Sequence, residues 1–291
     1  MKIEQGLSIE SRRWIYDELE KILGRSVISF FTNFNPAVGI EQGDDRIFED
    51  LVRKMDLSNG LILCINSPGG NGIAANKIVR ICREYSGTRD FWAMVPGKAR
   101  SAGTMICMGA SKILMGPVSE LGPIDPQVPI RTGADNEDIE MVSVQNVIDS
   151  HDRLVKQAEN ARGNPDPYLM QLSSYDERLI DKLAKLQTYS TSYAVKILKS
   201  GMMTSCTDAE IKDKISIFTD ANRSITHSLP IYREDARDCG LMIEDLDSRK
   251  EVWNLAYELY IRTEELLSRD LAKCIESKNF SSIIPYQEWS R

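Results

Sequence analysis

The sequence predicts an α/β fold in which a mostly parallel sheet is covered by helices on both faces. Residues 60–66, GLILCIN, are apolar at nearly every position, as expected for a parallel strand buried on both sides. Segments with strand and helix patterns then alternate from residue 60 to residue 117. The 291 residues are 42% hydrophobic and 27% charged, an ordinary globular composition that can bury one large core.

The chain before the alternating series opens with a predicted helix. Residues 9–24 repeat apolar side chains at a spacing near 3.6 and end on Gly24, a favoured residue after a helix. A strand is predicted for SVISFFTNF at 26–34. A second helix is predicted over 44–55, because Asp44 is a capping type of residue and apolar side chains follow on one face.

The series itself contains two strand-to-helix turns of interest. The strand at 60–66 ends at SPGG and leads to a helix, GIAANKIVRICREY. The strand FWAMVP leads to KARSAGTMICMGA, another helix candidate, and to a short strand, KILMGP. The acidic stretch 130–140 predicts an exposed loop or a mobile strand pair. Helical periodicity dominates afterwards, at 144–162, 176–199 and 251–277. The last of these is apolar on one face, which needs the protein body or another subunit as its partner.

Composition excludes several classes of protein. The formal net charge of −7 disfavours nonspecific binding to nucleic acid or to an anionic membrane, because the long-range field repels phosphates. Apolar stretches fall far short of the roughly 20 residues that span a bilayer, and no signal-like run opens the chain, so we expect a cytoplasmic protein. The cysteines lack a CxxC pair or a nearby histidine, which favours buried thiols over zinc ligands: Cys64, Cys82, Cys107, Cys206, Cys239 and Cys274.

The glycine pair in NSPGGNG, residues 66–72, is the first candidate for chemistry. Gly69 and Gly70 follow a buried strand, and α/β proteins bind ligands at the carboxyl ends of their parallel strands. Adjacent glycines leave backbone N–H groups unobstructed, which suits an oxyanion hole or a phosphate cradle. An ordinary strand-to-helix turn is the structural alternative. The pattern matches neither GxGxxG nor the Walker form, so it does not indicate a nucleotide site.

Ser101 in ARSAGT, residues 99–104, is the second candidate. It precedes an apolar helix, where free N–H groups and the helix dipole favour developing negative charge. Ala102 and Gly103 are small and let a substrate carbonyl approach. The alternative is that Ser101 simply caps the helix, which is the commoner role of a serine at this position.

The order SPGG, RSAGT and LGPIDPQ (121–127) favours the nucleophile. The chain resembles the serine dehydrogenase proteinase family, a distant branch of the Clp-protease and signal-peptide-peptidase superfamily related to the crotonases. The resemblance is most specific at LILCINSPGGNGIAANKI, VPGKARSAGTMICMGASKILMGPVSELGPIDPQV and THSLPIYREDARDCGL. It implies a ClpP/crotonase-like fold of repeated ββα units, with a serine protease domain at 1–245. Residues 246–291 are then predicted to be a C-terminal helical extension.

The resemblance also implies catalytic roles. The serine that attacks the carbonyl is Ser101, and the oxyanion-hole N–H groups fall on Gly69, Gly70 and Ala102. A serine needs an adjacent base. At the place of the Clp histidine this sequence has Asp125. The family's Ser, Asp, His order points to Asp125 and His227.

Alternative bases remain open at this stage. His151, next to Asp152, is interpreted as a solvated surface residue. A Ser-Lys dyad as in signal-peptide peptidases would use Lys156, or with less support Lys182 or Lys185. Lys156 is flanked by charged residues that predict its exposure, whereas a lysine base must be desolvated.

Three functions are compatible with the sequence. The first is a peptidase that cleaves peptides or proteins through a Ser101 acyl-enzyme, working as a homo-oligomer such as a trimer, a hexamer or a larger ring, since the resembled superfamily commonly forms rings. The second is a non-peptide acyl hydrolase, and the third is an inactive scaffold. No dinucleotide fingerprint and no lysine for pyridoxal phosphate can be singled out, so no cofactor is expected. The C-terminal helix is a candidate for recruiting a partner protein.

Overall fold

The structure, a computed structural model, describes residues 8–35, 38–132, 138–220 and 229–286. Its helices are α1 Glu10–Leu23, α2 Asp44–Val52, α3 Gly72–Tyr85, α4 Ala102–Met108, α5 Val144–Glu159, α6 Asp166–Leu172, α7 Glu177–Lys199, α8 Asp208–Lys214, α9 Ser216–Thr219, α10 Arg233–Asp238 and α11 Lys250–Leu267. Its strands are β1 Ser26–Thr32, β2 Leu61–Asn66, β3 Phe91–Val95, β4 Lys98–Ala99, β5 Lys112–Met115, β6 Glu120–Leu121, β7 Gln127–Thr132, β8 Asp138–Ser143, β9 Ile243–Asp245, β10 Leu271–Ser277 and β11 Ser281–Pro285.

The predicted mostly parallel sheet is confirmed. Within the described residues it has seven strands in the order β11-β10-β1-β2-β3-β5-β9. Neighbouring strands from β1 to β9 run parallel, and β10 pairs antiparallel with both β1 and β11. Every residue of β2 is buried, in agreement with its continuous apolar sequence. The protein therefore has the α/β fold that the sequence predicts.

Helices cover both faces of the sheet. Side chains of β2 alternate between two cores: Leu61 and Leu63 belong to the core that includes α2, α3, α4 and α7. Ile62 and Cys64 belong to the core formed with α1 and α11. Helix α1 ends as predicted, because Gly24 has a φ of 69° and its N–H returns to the carbonyl of Glu20.

The chain after residue 245 differs from the predicted helical extension. The helix predicted over 251–277 ends at Leu267, and residues 271–277 form β10 in the main sheet. Two buried ion pairs fasten β10 to the preceding chain: Arg12 with Glu276 at 2.8 Å, and Lys273 with Asp44 at 2.7 Å. The segment 246–291 thus contributes strands to the body of the protein and is not purely helical.

The apolar face of α11 finds its partner in that body. Its buried side chains, among them Val252, Leu259 and Leu266, pack in the same core as α1 and the sheet. The sequence left two possible partners for this face, the protein body or another subunit, and the structure shows that it packs on the protein body.

Three further findings complete the architecture. Strands β7 and β8 pair antiparallel, so of the two alternatives predicted for residues 130–140, a loop or a strand pair, the strand pair is found in the described residues. The segment from α5 to α9 is helical, as predicted. None of the helices in the described part of the chain is long and apolar enough to cross a membrane.

Candidate active site

Ser101 lies between β4 and α4 with an unusual backbone conformation. Its φ is 47° and its ψ is −114°, a region that side-chain-bearing residues avoid. Although it occupies the position before α4, its side chain makes no capping hydrogen bond. The capping role is therefore not what holds this serine here. Strain of this kind is typical of a serine presented on a sharp strand-to-helix turn for attack on a carbonyl.

The glycine pair lies directly against Ser101. Gly69 and Gly70 have φ values of 116° and 131°, which glycine adopts readily and other residues do not. A Cβ added to Gly69 would meet the Cβ of Ser101 at 2.6 Å, and one added to Gly70 would meet the backbone of Ile40 at 2.3 Å. Close packing against the serine therefore requires glycine at position 69, and close packing against Ile40 requires it at position 70.

The backbone N–H groups of the turn differ in their availability. The N–H of Gly69 donates to Ser67 Oγ at 3.2 Å. The N–H groups of Gly70 and Ala102 donate no hydrogen bond to any residue that the structure describes. Of the three predicted oxyanion-hole residues, Gly70 and Ala102 thus offer free donors, while Gly69 supplies space.

Two buried hydroxyl side chains that the sequence analysis did not single out support the site. Ser67 Oγ accepts from the N–H of Gly69 and from Thr32 Oγ1, at 3.2 and 3.1 Å. Thr104 Oγ1 donates to the carbonyls of Ala99 and Gly122 at 2.7 and 2.9 Å, so it joins α4 to the chain after β6. Ser67 lies in the motif SPGG and Thr104 in SAGT, so their positions in these motifs are the sequence feature that could have identified them.

A cleft of about 370 Å³ opens beside Ser101. The described residues that line it include none that is charged. They come from the glycine turn, α4, the chain before β7, and α7: Gly70, Asn71, Gly72, Ile73, Ser101, Met105, Ile124, Pro126, Gln127, Leu186, Tyr189 and Ser190. An uncharged, largely apolar cleft with a few polar groups is the usual form of a site for an organic ligand. The contribution of α7 could not be read from local sequence motifs.

Asp125 lies at the wall of this cleft. Its neighbours Ile124 and Pro126 line the cleft, while Asp125 itself is 2% exposed. The segment is held from two sides, since Ser190 Oγ donates to the carbonyl of Ile124 and the N–H of Ile124 donates to the carbonyl of Phe218. The position of Asp125 next to the Ser101 cleft is thus tightly fixed.

His227 falls outside the described residues, but the chain on either side of it is anchored near Asp125. Before it, Phe218 bonds to Ile124 at 2.7 Å. After it, Ile231 exchanges two backbone hydrogen bonds of 2.9 Å with Leu121. Both anchors belong to the segment 121–124, which leads directly into Asp125.

The alternative bases lie elsewhere. His151 is partly buried on α5, where Nδ1 lies 3.1 Å from Asp152 and the ring contacts Tyr175 edge-on. It is thus less solvated than its flanking charges predict. Lys156, Lys182 and Lys185 are exposed, and none of them lines the cleft. The exposure predicted for Lys156 is confirmed, and a lysine in bulk solvent is a poor base near neutral pH.

Charged residues surround the turn without entering the cleft. Glu120, 6% exposed, accepts from Arg100 at 2.8 Å and lies 3.2 Å from Lys98 Nζ. On the other side, Asn66 donates to Glu264 Oε1 at 2.8 Å. Burial raises the pKa of Glu264, and the hydrogen bond from Asn66 and the charge of Lys98 only partly offset this.

Within the described residues, cysteines and possible metal ligands are two further classes of side chain that could carry chemistry near the site. All six cysteines are free, and every one except Cys206 is buried. Burial raises the pKa of Cys107, at the far end of α4, so its thiol stays protonated. In the portion of the chain that the structure describes, no three histidine, cysteine or acidic residues are grouped to hold a metal ion.

The predicted resemblance is confirmed by comparison with known families. Residues 40–162 match the family model described as ClpP-like SDH-type serine proteinase. The match contains the glycine pair, Ser101 and Asp125, and it ends before His227. The similarity to this family thus covers the segment that holds the predicted nucleophile and oxyanion-hole residues, which is less than half of the chain.

Relatives and solved structures overlap the chain partially. Two uncharacterized proteins of Methanocaldococcus jannaschii are 40% identical over 67 residues and 32% identical over 66, in each case 23% of this chain. These matches span 22% of the length of each relative. A serine-to-alanine mutant of the 1510-N membrane-bound stomatin-specific protease overlaps 73% of this chain and 79% of its own, with TM-score 0.44 and 16% identity. A lysine-to-alanine mutant of that protease with a substrate peptide overlaps 75% and 93%, with TM-score 0.29 and 13% identity.

Proposed function

We propose that this chain is a serine peptidase in which Ser101 is the nucleophile. The observation that carries the proposal is the strained backbone of Ser101 beside the unpaired N–H groups of Gly70 and Ala102. Strain is retained where function requires it, and two free donors next to a serine match what a tetrahedral oxyanion needs. The family match over residues 40–162 supports the same reaction class.

The chemistry follows from these positions. Ser101 Oγ attacks the scissile carbonyl carbon and passes its proton to the base, while the carbonyl oxygen becomes an oxyanion bound by Gly70 and Ala102 N–H. The tetrahedral intermediate collapses, the C–N bond breaks, and the base returns the proton to the leaving amine. Water then attacks the ester in the same way, which releases the acid and regenerates the serine.

We assign the base to His227 and its orientation to Asp125. The anchors on either side of His227 support this assignment, since Ile231 is four residues away and bonds to Leu121. Four extended residues span at most roughly 14 Å, which limits how far His227 can lie from the Leu121 anchor and so from the segment that leads into Asp125. An aspartate on one ring nitrogen leaves the other nitrogen to accept the proton of Ser101.

The proposed substrate is a peptide or protein, and the proposed working state is a homo-oligomer. The uncharged cleft formed by Met105, Leu186 and Tyr189 accommodates apolar side chains. Self-association is supported by α6, which has no buried residue and exposes Met170 by 75%. The neighbouring Leu169 is 50% exposed, and adjacent exposed apolar side chains of this kind mark surfaces that other chains cover.

A fluorophosphonate probe tests both the reaction and the base. The folded wild-type chain should be labelled, His227→Ala should be labelled at least about 100-fold more slowly, and the exposed-lysine control Lys156→Ala should match wild type. No labelling of folded wild type would refute the serine hydrolase. Unchanged labelling of His227→Ala together with loss in Lys156→Ala would replace the triad by a dyad.

A further inference from the structure

A second concave site lies between α3 and α7, apart from the Ser101 cleft. Among the described residues, this groove of about 310 Å³ is lined by three cationic side chains and by no carboxylate. The groove residues that matter here are Asn76, Arg80, Arg83, Tyr193, Lys196 and Ser200. A pocket with three positive charges and no acid is unusual in a protein whose formal net charge is −7. It concentrates positive potential at one place on an otherwise acidic molecule.

Arg83 spans the groove, and its hydrogen-bond partners among the described residues are all neutral. Its Nε donates to the carbonyl of Gly109 at 3.0 Å, and its Nη1 donates to Ser200 Oγ at 2.8 Å. The guanidinium is partly buried, and burial lowers its pKa. A cation taken out of water without a carboxylate is stabilised by any anion that binds beside it.

Arg80 and Lys196 add two exposed charges to the same groove. Neither makes an ion pair with any residue in the described part of the chain, whereas Lys77 on the same helix α3 pairs with Asp45. Both side chains are therefore available to a ligand from outside.

Tyr193 supplies an unsatisfied donor. The residue is 7% exposed, and its hydroxyl makes no hydrogen bond with any described residue. Burial raises the pKa of Tyr193, so the hydroxyl keeps its proton and can donate. A buried hydroxyl without a partner is costly, and in native proteins such a group commonly marks a bound ion, water or ligand.

We propose that this groove binds a phosphate-class oxyanion, either free phosphate or the phosphoryl group of a small phosphate monoester. The fork of Arg80 and the charge of Lys196 pair with the anionic oxygens, while the Tyr193 hydroxyl donates to a third oxygen. The bound anion also places a negative charge beside Arg83, whose hydrogen-bond partners are neutral.

The groove shares its two walls with the proposed active site. Helix α3 begins two residues after Gly70, and α7 contributes Leu186 and Tyr189 to the Ser101 cleft. Tyr189 in the cleft stacks on Tyr193 in the groove, with ring centroids 6.1 Å apart and planes 8° from parallel. The two sites therefore lie on either side of one pair of aromatic rings.

Calorimetric titration of the full chain tests the groove independently of any peptidase activity. Inorganic phosphate and glycerol phosphate are titrated separately at constant ionic strength, with chloride as the background anion. We expect saturable binding of at least one of them. The double variant Arg80→Gln/Lys196→Gln should bind at least about tenfold more weakly, because two charge-assisted contacts are lost, and Tyr193→Phe should bind severalfold more weakly.

The matched control is Lys182→Gln/Lys185→Gln, which removes the same charge from exposed positions of α7 outside the groove. It should bind like wild type. Binding of phosphate alone identifies a free anion as the ligand, and tighter binding of the monoester identifies a phosphoryl compound. Absence of saturable binding to folded wild type, or equal weakening in both double variants, would overturn the proposal.

Discussion

Gly69 and Ser101 are packed so closely that a Cβ on Gly69 would lie 2.6 Å from the Cβ of Ser101. The contact joins the turn after β2 to the turn after β4, at the carboxyl end of the parallel sheet. Since this edge is where α/β proteins place their ligand sites, the fold and the glycine turn converge on the same serine.

Replacing Gly69 by alanine tests this contact. Gly69→Ala should reduce turnover by at least about 100-fold, because the added methyl displaces Ser101 and a displacement of about 1 Å can cost that much. Gly43→Ala is the matched control: Gly43 has a similar φ of 111° but nothing within 4 Å of the added Cβ. Backbone strain should cost each variant roughly 1 kcal/mol of stability, and the contact with Ser101 adds a further loss in Gly69→Ala alone. Equal activity of the two variants would contradict the assigned contact.

The buried pair of Arg12 and Glu276 predicts that the C-terminal strands are integral to the fold. Both side chains are fully buried, and they join α1 to β10. Arg12→Met should lower the free energy of unfolding by about 3–5 kcal/mol, because it leaves a buried carboxylate without its cation. The neighbouring Arg13→Met, at an exposed position, should change it by less than about 1 kcal/mol. Urea denaturation measures both, and similar values would argue against the pairing.

The two strands of this region also show what the sequence could not reveal. The pattern LAKCIES continues the helical periodicity of α11 and so predicts a helix. In the structure β10 lies between β1 and β11 in the sheet, and its Lys273 and Glu276 pair with Asp44 and Arg12, which lie far away in the sequence. Local periodicity carries no information on such distant partners. A parallel strand buried on both faces, by contrast, is apolar at nearly every position, so its own sequence is enough to predict it.

The candidate site likewise has some features that the sequence predicts and others that only the structure shows. The positions of Gly69, Gly70 and Ser101 follow from strand-to-helix motifs, and the structure brings all three together. The N–H of Gly69 is occupied and the N–H of Gly70 is free. This difference depends on the positions of Ser67 and Ile40, which are known only from the tertiary structure. The cleft wall from Leu186 and Tyr189 depends on how α7 packs, and no motif marks it.

Glu264 predicts a pH dependence of stability. Burial raises its folded-state pKa above the ordinary value of 4.5, so the folded protein favours the protonated form of this carboxyl group. The contribution of Glu264 to folding stability is fully present below its pKa in the unfolded chain, and it is lost as the pH rises through its pKa in the folded protein. Glu264→Gln should therefore be more stable than wild type near neutral pH. The thermal midpoint should differ by about 2–4 °C if about 1 kcal/mol is recovered.

Melting curves from pH about 4 to about 8 test this linkage. The difference between Glu264→Gln and wild type should grow with pH, because glutamine keeps the oxygen that accepts from Asn66 and never ionises. Glu265→Gln, exposed on the next position, is the control and should show no such trend. A difference for Glu264→Gln that does not change with pH would count against its elevated pKa.

Met170 tests the proposed self-association. It is 75% exposed on α6, close in sequence to Leu169, which is 50% exposed. Met170→Asp should shift the protein toward smaller species in light scattering coupled to gel filtration, because a charge at an apolar contact must be desolvated. Val118→Asp, at a site that is 63% exposed on another part of the surface, should leave the mass unchanged. A wild type that is monomeric at all concentrations tested would refute the oligomer.

The central claim is that Ser101 is the nucleophile, and the most direct measurement is the site of covalent modification. Wild-type protein is treated with a fluorophosphonate, digested, and mapped by mass spectrometry, with Ser101→Ala and Ser111→Ala treated in parallel. The account predicts one phosphonylated residue, Ser101, with labelling reduced at least about 1000-fold in Ser101→Ala and unchanged in Ser111→Ala. Labelling of folded protein at another serine, or persistence of labelling in Ser101→Ala, would contradict it.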